Sequence, residues 1–378
     1  MVNELIIAVL GGNVPDWVVV LITSLVGASA ILVFVVFSNL AAIWIERKLI
    51  GRFQIRSGPN RVGPEGLLQP VADVLKVLAK EAIVPFGVDR LVFQAAPIVV
   101  IVPALMTFAV IPFAPGAALL NTEIGVLYLV AIGSLGVIPT FMAGWSSNNK
   151  FSLLGAMRAV AQTISYEIPL VLSLVGVLLL AGTMDLGQIV QYQIAGGWFA
   201  FLQPLALVIF FIAGSAELNR TPTDIVEGES EIVAGYHTEY SGFKFSLFYA
   251  TEYTHVFGMS AVITTLFLGG WGTGPILDVV PAVVWFLVKV YLCFAFFVWI
   301  RATLPRLRID QLMGLAWKFL LPLALINIGL TALQVYNLWP NVAVFAVNAV
   351  LAVVLIKLWS DAIGSNRKAE RRTYLRAA

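Results

Sequence analysis

Seven carboxylates (Glu217, Asp224, Glu227, Glu229, Glu231, Glu239 and Glu252) fall between Glu217 and Tyr253. The chain of 378 residues has 21 in all, so a third of its acid occupies a tenth of its length. Glu227, Glu229 and Glu231 repeat at every second residue. On a helix the first and third would share a face; in an extended loop all three would align. Carboxylates held that close raise one another's pKa, which suits groups that exchange protons near neutral pH. A solvated acidic loop is the plainer reading of that spacing alone. Glu217 and Glu252, however, reach into flanking apolar runs, and Glu167 and Lys289 lie inside others. An ionisable group at the centre of a membrane helix costs about 2.5–3.5 kcal/mol, so those present usually line a polar cavity or an ion route. A structural ion pair would explain Lys289 with one acid, but three acids cannot share one lysine.

Redox chemistry finds little support in the chain itself. Cys293 is the single cysteine, and an iron–sulfur cluster normally takes four Cys ligands, or two Cys with two His. Glu252-Tyr-Thr-His255 has the Glu-x-x-His spacing of di-iron bundles. A second such pair is required, and the other histidine, His237, lies in a polar loop. No metal site is expected. Neither a G-x-G-x-x-G nor a P-loop pattern is present, so nucleotide binding is not supported.

The elements that must position these groups are membrane helices. Hydrophobic residues make up 60% of the chain and charged residues 12%, with a mean hydropathy of +0.93, outside the range of soluble domains. Apolar runs long enough to cross a bilayer as helices recur at 17–44, 91–113, 124–144, 168–181, 199–216, 245–269, 279–300, 319–338 and 342–359. The first should end abruptly at Glu46-Arg47-Lys48, and the fourth should begin earlier, near Ala159. The expected fold is an all-α polytopic membrane protein of about nine transmembrane helices. It forms one integral membrane domain over 1–378, with a core at about 17–338 and an added C-terminal helix and basic tail at 340–378.

Basic residues set the orientation. Of the 23 Lys and Arg, 22 fall in alternate connections and the C-terminal tail, and the last is Lys289. That alternation predicts an N-terminus outside (periplasmic) and a cytoplasmic C-terminus. Segment 46–91 is too polar to span. Within it Val71, Val74, Leu75 and Leu78 follow helical spacing, opposed by Gln69, Asp73, Lys76 and Lys80. That pattern predicts an amphipathic helix at the cytoplasmic interface. The polar stretch Gly144-Trp-Ser-Ser-Asn-Asn-Lys150 should cap helix ends.

Longer motifs carry a resemblance. Trp44-Ile-Glu-Arg-Lys48, Gln54-x-Arg-x-Gly-Pro-Asn-Arg-Val-Gly-Pro64 and Gly66-Leu-Leu-Gln-Pro-x-Ala-Asp73 are similar to the H-subunit family (mitochondrial subunit 1) of the respiratory complex I membrane arm. So are Gly144-Trp-Ser-Ser-Asn-Asn-Lys150, Ile164-Ser-Tyr-Glu167, Ala216-Glu-Leu-Asn-Arg-Thr-Pro222, Glu231-x-x-x-Gly-Tyr-His-Thr-Glu-Tyr-Ser-Gly242, Arg301-Ala-x-Leu-Pro-Arg306 and Asp310-Gln-Leu-Met313. The resemblance covers roughly residues 30–335 in order. Where the family usually has Pro-Phe-Asp-x-Pro-Glu, this chain has Pro222-Thr-Asp-Ile-Val-Glu227.

The resemblance implies a subunit of the proton-translocating NADH:quinone oxidoreductase in the cell (inner or plasma) membrane. It implies a chamber that a quinone, ubiquinone or menaquinone, enters from the bilayer, near Glu46, Arg47, Asp73, Arg220, Asp224 and Arg301. It also implies an acidic path through Glu167, Glu217, Glu227, Glu229, Glu231 and Glu252. The chain would bind no cofactor; iron–sulfur clusters and FMN would reside in partner subunits. Those partners include the quinone-pocket and terminal-cluster subunits of the peripheral arm, and small and antiporter-like subunits of the membrane arm. No nucleic acid is implied. Two other readings stand beside this one. One is the equivalent subunit of a ferredoxin- or deazaflavin-linked dehydrogenase or membrane-bound hydrogenase; the other, more remote, is a stand-alone ion transporter.

Overall fold

Inside a bilayer every backbone N–H and C=O must be satisfied within the protein, which leaves helices for a chain patterned like this one. The computed structural model describes residues 16–226, 232–272, 280–336 and 343–360. Among these residues there is no strand. Seven helices are long and apolar enough to cross a membrane.

Helix α1 (Asp16–Phe53) is 38 residues long, about 57 Å at 1.5 Å per residue. The apolar run ends at Glu46-Arg47-Lys48, as expected, and the helix itself continues to Phe53. These three residues therefore stand on a rigid helical surface beyond the apolar stretch. Helix α2 (Gln69–Ala79) is the predicted amphipathic segment. Gln69 and Asp73 of its polar stripe are half-buried, with Asp73 paired to Arg47 of α1, while Lys76, Lys80, Val71, Val74, Leu75 and Leu78 are exposed.

Helix α3 (Arg90–Val110) is followed by α4 (Gly125–Leu135) and α5 (Val137–Ser146). These last two form one span broken at Gly136. Pro139 has no N–H for the carbonyl of Leu135, and its ring crowds that carbonyl, so the ladder breaks there. Helix α6 (Lys150–Ala181) starts well before the expected position near Ala159. The Asn149 side chain accepts from the Phe151 N–H at 2.9 Å and caps it, as the polar stretch predicted. Gly182, in the left-handed region at φ 67°, closes the far end.

The expected span over 199–216 is not one helix. Short α7 (Leu186–Gly196), which hydropathy did not reveal, precedes α8 (Phe199–Leu202) and α9 (Pro204–Glu217), and the last two are separated at Gln203. Its amide donates to the Gly176 carbonyl at 3.2 Å and to Thr331 at 2.9 Å. Helix α9 has 14 residues, about 21 Å, which is short of a full hydrocarbon core. Helix α10 (Gly242–Phe267) is too polar to qualify as a span on hydropathy, because it carries Glu252, His255 and several threonines. Its C-terminal half is almost wholly buried, so protein rather than lipid is its solvent.

Helix α11 (Ala282–Thr303) packs on α10 and α1. Helices α12 (Ile309–Leu315) and α13 (Leu321–Val335) run on through a π-helical turn at Ala316–Leu320. Pro322 cannot donate to the Lys318 carbonyl, which accounts for the widened turn. The final helix α14 (Ala343–Ser360) docks on the main core through Ala352, Leu355 and Trp359.

Candidate functional site

Polar groups meet between α1, α10, α11 and the turn after α9. Glu46 is 3% exposed. Its two oxygens accept from different arginines, Arg220 Nη1 at 2.7 Å and Arg301 Nη1 at 2.5 Å. The Tyr253 hydroxyl adds a further hydrogen bond to Glu46. Arg220 is equally buried, and its Nε donates to Glu252 Oε1 at 2.9 Å. The guanidinium also lies over the Tyr253 ring, 4.7 Å from its centroid. Two carboxylates thus face two guanidiniums, so the cluster is neutral as a whole. Burial alone would lower the Arg220 pKa; the charges of Glu46 and Glu252 outweigh it and raise the pKa above the usual arginine value.

The turn that holds Arg220 is fixed from several sides. Gln162, buried in α6, donates to the Ala216 carbonyl at 2.7 Å and to Asn219 Oδ1 at 3.3 Å. The Ala216 carbonyl also accepts from the Asn219 backbone N–H at 3.1 Å. Asn219 has φ 52°, a left-handed value that asparagine tolerates. The Thr223 side chain is fully buried, and its hydroxyl donates to the carbonyls of Ser215 and Arg220 at 3.0 and 2.8 Å. Asp224 pairs with Arg306 at 3.1 Å, and Arg306 Nε donates to the Asp224 carbonyl.

On the other side of Glu252 lies a cavity of about 160 Å³. Such a volume holds several water molecules. Glu167 of α6, Glu217 at the end of α9, and Glu252 and His255 of α10 all line it. Ser134, the second-last residue of α4, donates a short hydrogen bond to Glu167. Gly133 lets α4 come close: a Cβ there would stand 3.3 Å from Glu217 Oε1. Glu167 and Glu217 are near enough for their charges to interact. Both carboxylates thus face one small cavity, Glu167 with a hydroxyl donor and Glu217 beside Gly133.

The predicted residues therefore sort into separate places. Glu46, Arg220 and Arg301 are joined in one cluster, and Glu252 belongs both to it and to the cavity. Glu167 and Glu217 share that cavity. Arg47 and Asp73 form a second, half-exposed pair at 2.5 Å, with Lys76 at 3.8 Å from Asp73. Burial would raise the Asp73 carboxyl, but the hydrogen bond and charge of Arg47 hold it below the usual range. Asp224 sits apart with Arg306. Glu227, Glu229 and Glu231 lie outside the described residues.

Lys289 is buried without the carboxylate that the ion-pair reading supposed. Its ammonium gives its three N–H donors to the carbonyls of Leu268, Gly270 and Gly272 at 2.8, 3.0 and 2.8 Å. Trp198 lies beneath it, 4.8 Å away. It caps the far end of α10. Tyr253, Ser134 and His255 were not among the predicted site residues. The spacing of His255 to Glu252 was legible, but only as a metal-ligand pair that lacked its second half, whereas nothing in the local sequence ties Ser134 to Glu167.

A family model described as NADH dehydrogenase matches residues 26–332. The H subunit of NADH-quinone oxidoreductase from Dehalococcoides mccartyi is 57% identical over 302 residues, which cover 80% of this chain and 84% of that protein. The same subunit from Brevibacillus brevis is 53% identical over 297 residues, 78% of this chain and 88% of the relative. That of Geobacillus sp. is 48% identical over 325 residues, 85% and 96% of the two chains. The motifs, the polytopic helical fold and these matches over most of its length agree, and the chain belongs to the NADH dehydrogenase family, that of the NADH-quinone oxidoreductase H subunit.

Proposed function

We propose that the chain couples quinone reduction to proton translocation through its buried carboxylates. The observation that carries this reading is the double role of Glu252. It binds Arg220 on one side and lines the cavity of Glu167 and Glu217 on the other. Glu46, Arg47, Asp73, Arg220, Asp224 and Arg301 serve the quinone side, and Glu167, Glu217 and Glu252, with Glu227, Glu229 and Glu231 outside the described residues, serve the proton path. A quinone reduced nearby takes up protons and changes the local charge. At 4 Å and an effective dielectric of 20, one unit charge acts on another by about 4 kcal/mol. That equals roughly three pKa units, enough to move a proton among the cavity carboxylates.

Electrons reach the quinone from an iron–sulfur cluster of a partner subunit, and protons pass on to antiporter-like partners of the membrane arm. The chain lies in the cell membrane with its C-terminus and the basic segment 46–91 on the cytoplasmic side. The relatives are NADH-quinone oxidoreductase subunits, which favours this reading over a ferredoxin-, deazaflavin- or hydrogenase-linked complex. The test is Glu217→Gln and Glu167→Gln in the assembled complex. Each should lower proton translocation and quinone reduction together by tenfold or more; both activities surviving intact would exclude the proposed path.

A further inference from the structure

We infer that His255 is a proton-relay residue of the cavity, passing protons between Glu252 and the Glu167–Glu217 pair. The inference rests on the coupling reading above and extends it to a residue outside the carboxylate set. Glu252 and His255 are three residues apart on α10, so their side chains share a helix face, and both line the cavity. The geometry also gives them different freedom. Glu252 is tied to Arg220 at 2.9 Å, and Arg220 is tied in turn to Glu46. A carboxylate held this way cannot swing across the cavity while it keeps its partner. The imidazole carries no such tie to an arginine. It offers two nitrogens, one able to accept a proton while the other releases one.

The surroundings are those of a relay rather than a metal site. The ionisable groups that line the cavity with His255 are Glu167 from α6, Glu217 from α9, Glu252 from α10 itself and Tyr236 from the preceding loop. Helix α3, packed along α10, contributes Ala104 and Thr107 to the lining and no ionisable group. No charged group of α1 or α11 lines the cavity: Glu46 is engaged with Arg220 and Arg301, Arg47 with Asp73, Lys48 with Glu65, and Lys289 with carbonyls beyond the end of α10. No group of three or more metal-ligating side chains occurs among the described residues. In the relay, a proton leaving the Glu252 side is bound at one ring nitrogen, directly or through cavity water. The proton on the other nitrogen then goes to the Glu167 or Glu217 carboxylate, and the ring returns to its neutral form with the opposite tautomer. One proton enters and one leaves, and no electron is transferred.

The experiment replaces His255 by Gln and by Leu in the assembled complex in proteoliposomes, with Glu217→Gln as the reference variant. Quinone reduction, protons moved per electron and the pH profile of both are measured from pH 5.5 to 8.5. His255→Gln keeps polarity and hydrogen bonding but cannot carry a proton. Both His255 variants are expected to lower coupled turnover at least tenfold and to remove one titration from the pH profile. If the Leu variant fails to assemble, the Gln variant decides alone. Wild-type coupling and pH profile in His255→Gln would overturn the relay and leave His255 a polar liner. If that result accompanies a severe defect in Glu217→Gln, the carboxylate path stands without the histidine; if Glu217→Gln is also unimpaired, the path itself is wrong.

Discussion

Arg220 Nε and Glu252 Oε1 meet at 2.9 Å, and this contact joins a buried charge cluster to the cavity lined by Glu167 and Glu217. Arg220 also holds Glu46, so its loss would leave two carboxylates facing one guanidinium, that of Arg301 on Glu46. Removing one partner of a buried pair costs about 3–5 kcal/mol, because the remaining charge has no solvent to return to. Arg220→Met is therefore expected to lower the thermal midpoint of the purified chain sharply. Adding Glu46→Gln to it should recover part of the loss, since the remaining carboxylate and guanidinium then balance. Strictly additive effects in the double variant would show that the two residues are not coupled.

Lys289 illustrates a charge whose task is structural. Three carbonyls at the end of α10 receive its three donors. Hydrogen bonds to charged groups contribute about 1.5–3 kcal/mol each when buried, and bonds made by one side chain do not simply add. Lys289→Met should destabilise the chain by about 3 kcal/mol in a denaturation series. Quinone reduction by the complexes that do assemble should stay within about twofold of wild type, because the Glu46–Arg220–Arg301 cluster lies elsewhere. A selective loss of coupling at full stability would instead assign Lys289 to the proton route.

The helical membrane fold was legible because a bilayer imposes one rule on every span, and apolar runs report that rule directly. Glu167, Glu217 and Glu252 were legible for the same reason, as acids where lipid makes acids costly. What hydropathy missed was set by neighbours. Helix α10 was found as the run 245–269, but α7 was not, and α9 is cut short by Gln203, whose partners Gly176 and Thr331 are far away in sequence. The breaks at Gly136 and in the π-turn before Pro322 follow from proline chemistry and were readable in principle. The six residues expected near one chamber fall into three ion-paired groups. Which acid meets which arginine depends on helix rotation and on contacts such as Arg301 to Glu46, 255 positions apart, and single-chain patterning carries no such information.

Thr223 marks the place where the family motif has an aromatic residue. Here its side chain is fully buried, with its hydroxyl shared between the Ser215 and Arg220 carbonyls. Thr223→Val keeps the shape and removes the hydroxyl, which should cost about 1 kcal/mol. Thr223→Phe introduces a ring where no space exists and should cost about 1–3 kcal/mol through overpacking. It should also displace Arg220, so quinone reduction should fall more in Phe than in Val. Equal activity in the two variants would mean that the loop absorbs the ring without moving the arginine.

His237 supplies a pH dependence whose sign can be worked out. The residue is buried among Tyr236, Phe245 and Tyr249, with ring centroids 4.8, 5.2 and 6.1 Å away. Desolvation in this aromatic setting pushes its pKa down from 6.5 to about 4. In the unfolded chain the imidazole binds a proton as the pH drops through about 6.5, whereas in the folded chain it stays neutral until about 4. The unfolded state therefore holds more protons between those values, and stability falls as pH falls through that window. Above about 6.5 the residue contributes no slope. One pH unit inside the window corresponds to about 1.4 kcal/mol. The thermal midpoint of the purified chain should thus drop between pH 6.5 and 5, and His237→Phe, which fits the aromatic cluster and cannot titrate, should flatten part of that drop. Other carboxylates titrate over the same range, so the quantity to compare is the difference in slope between wild type and variant. An identical slope in both would show that His237 is protonated in the folded chain at these pH values.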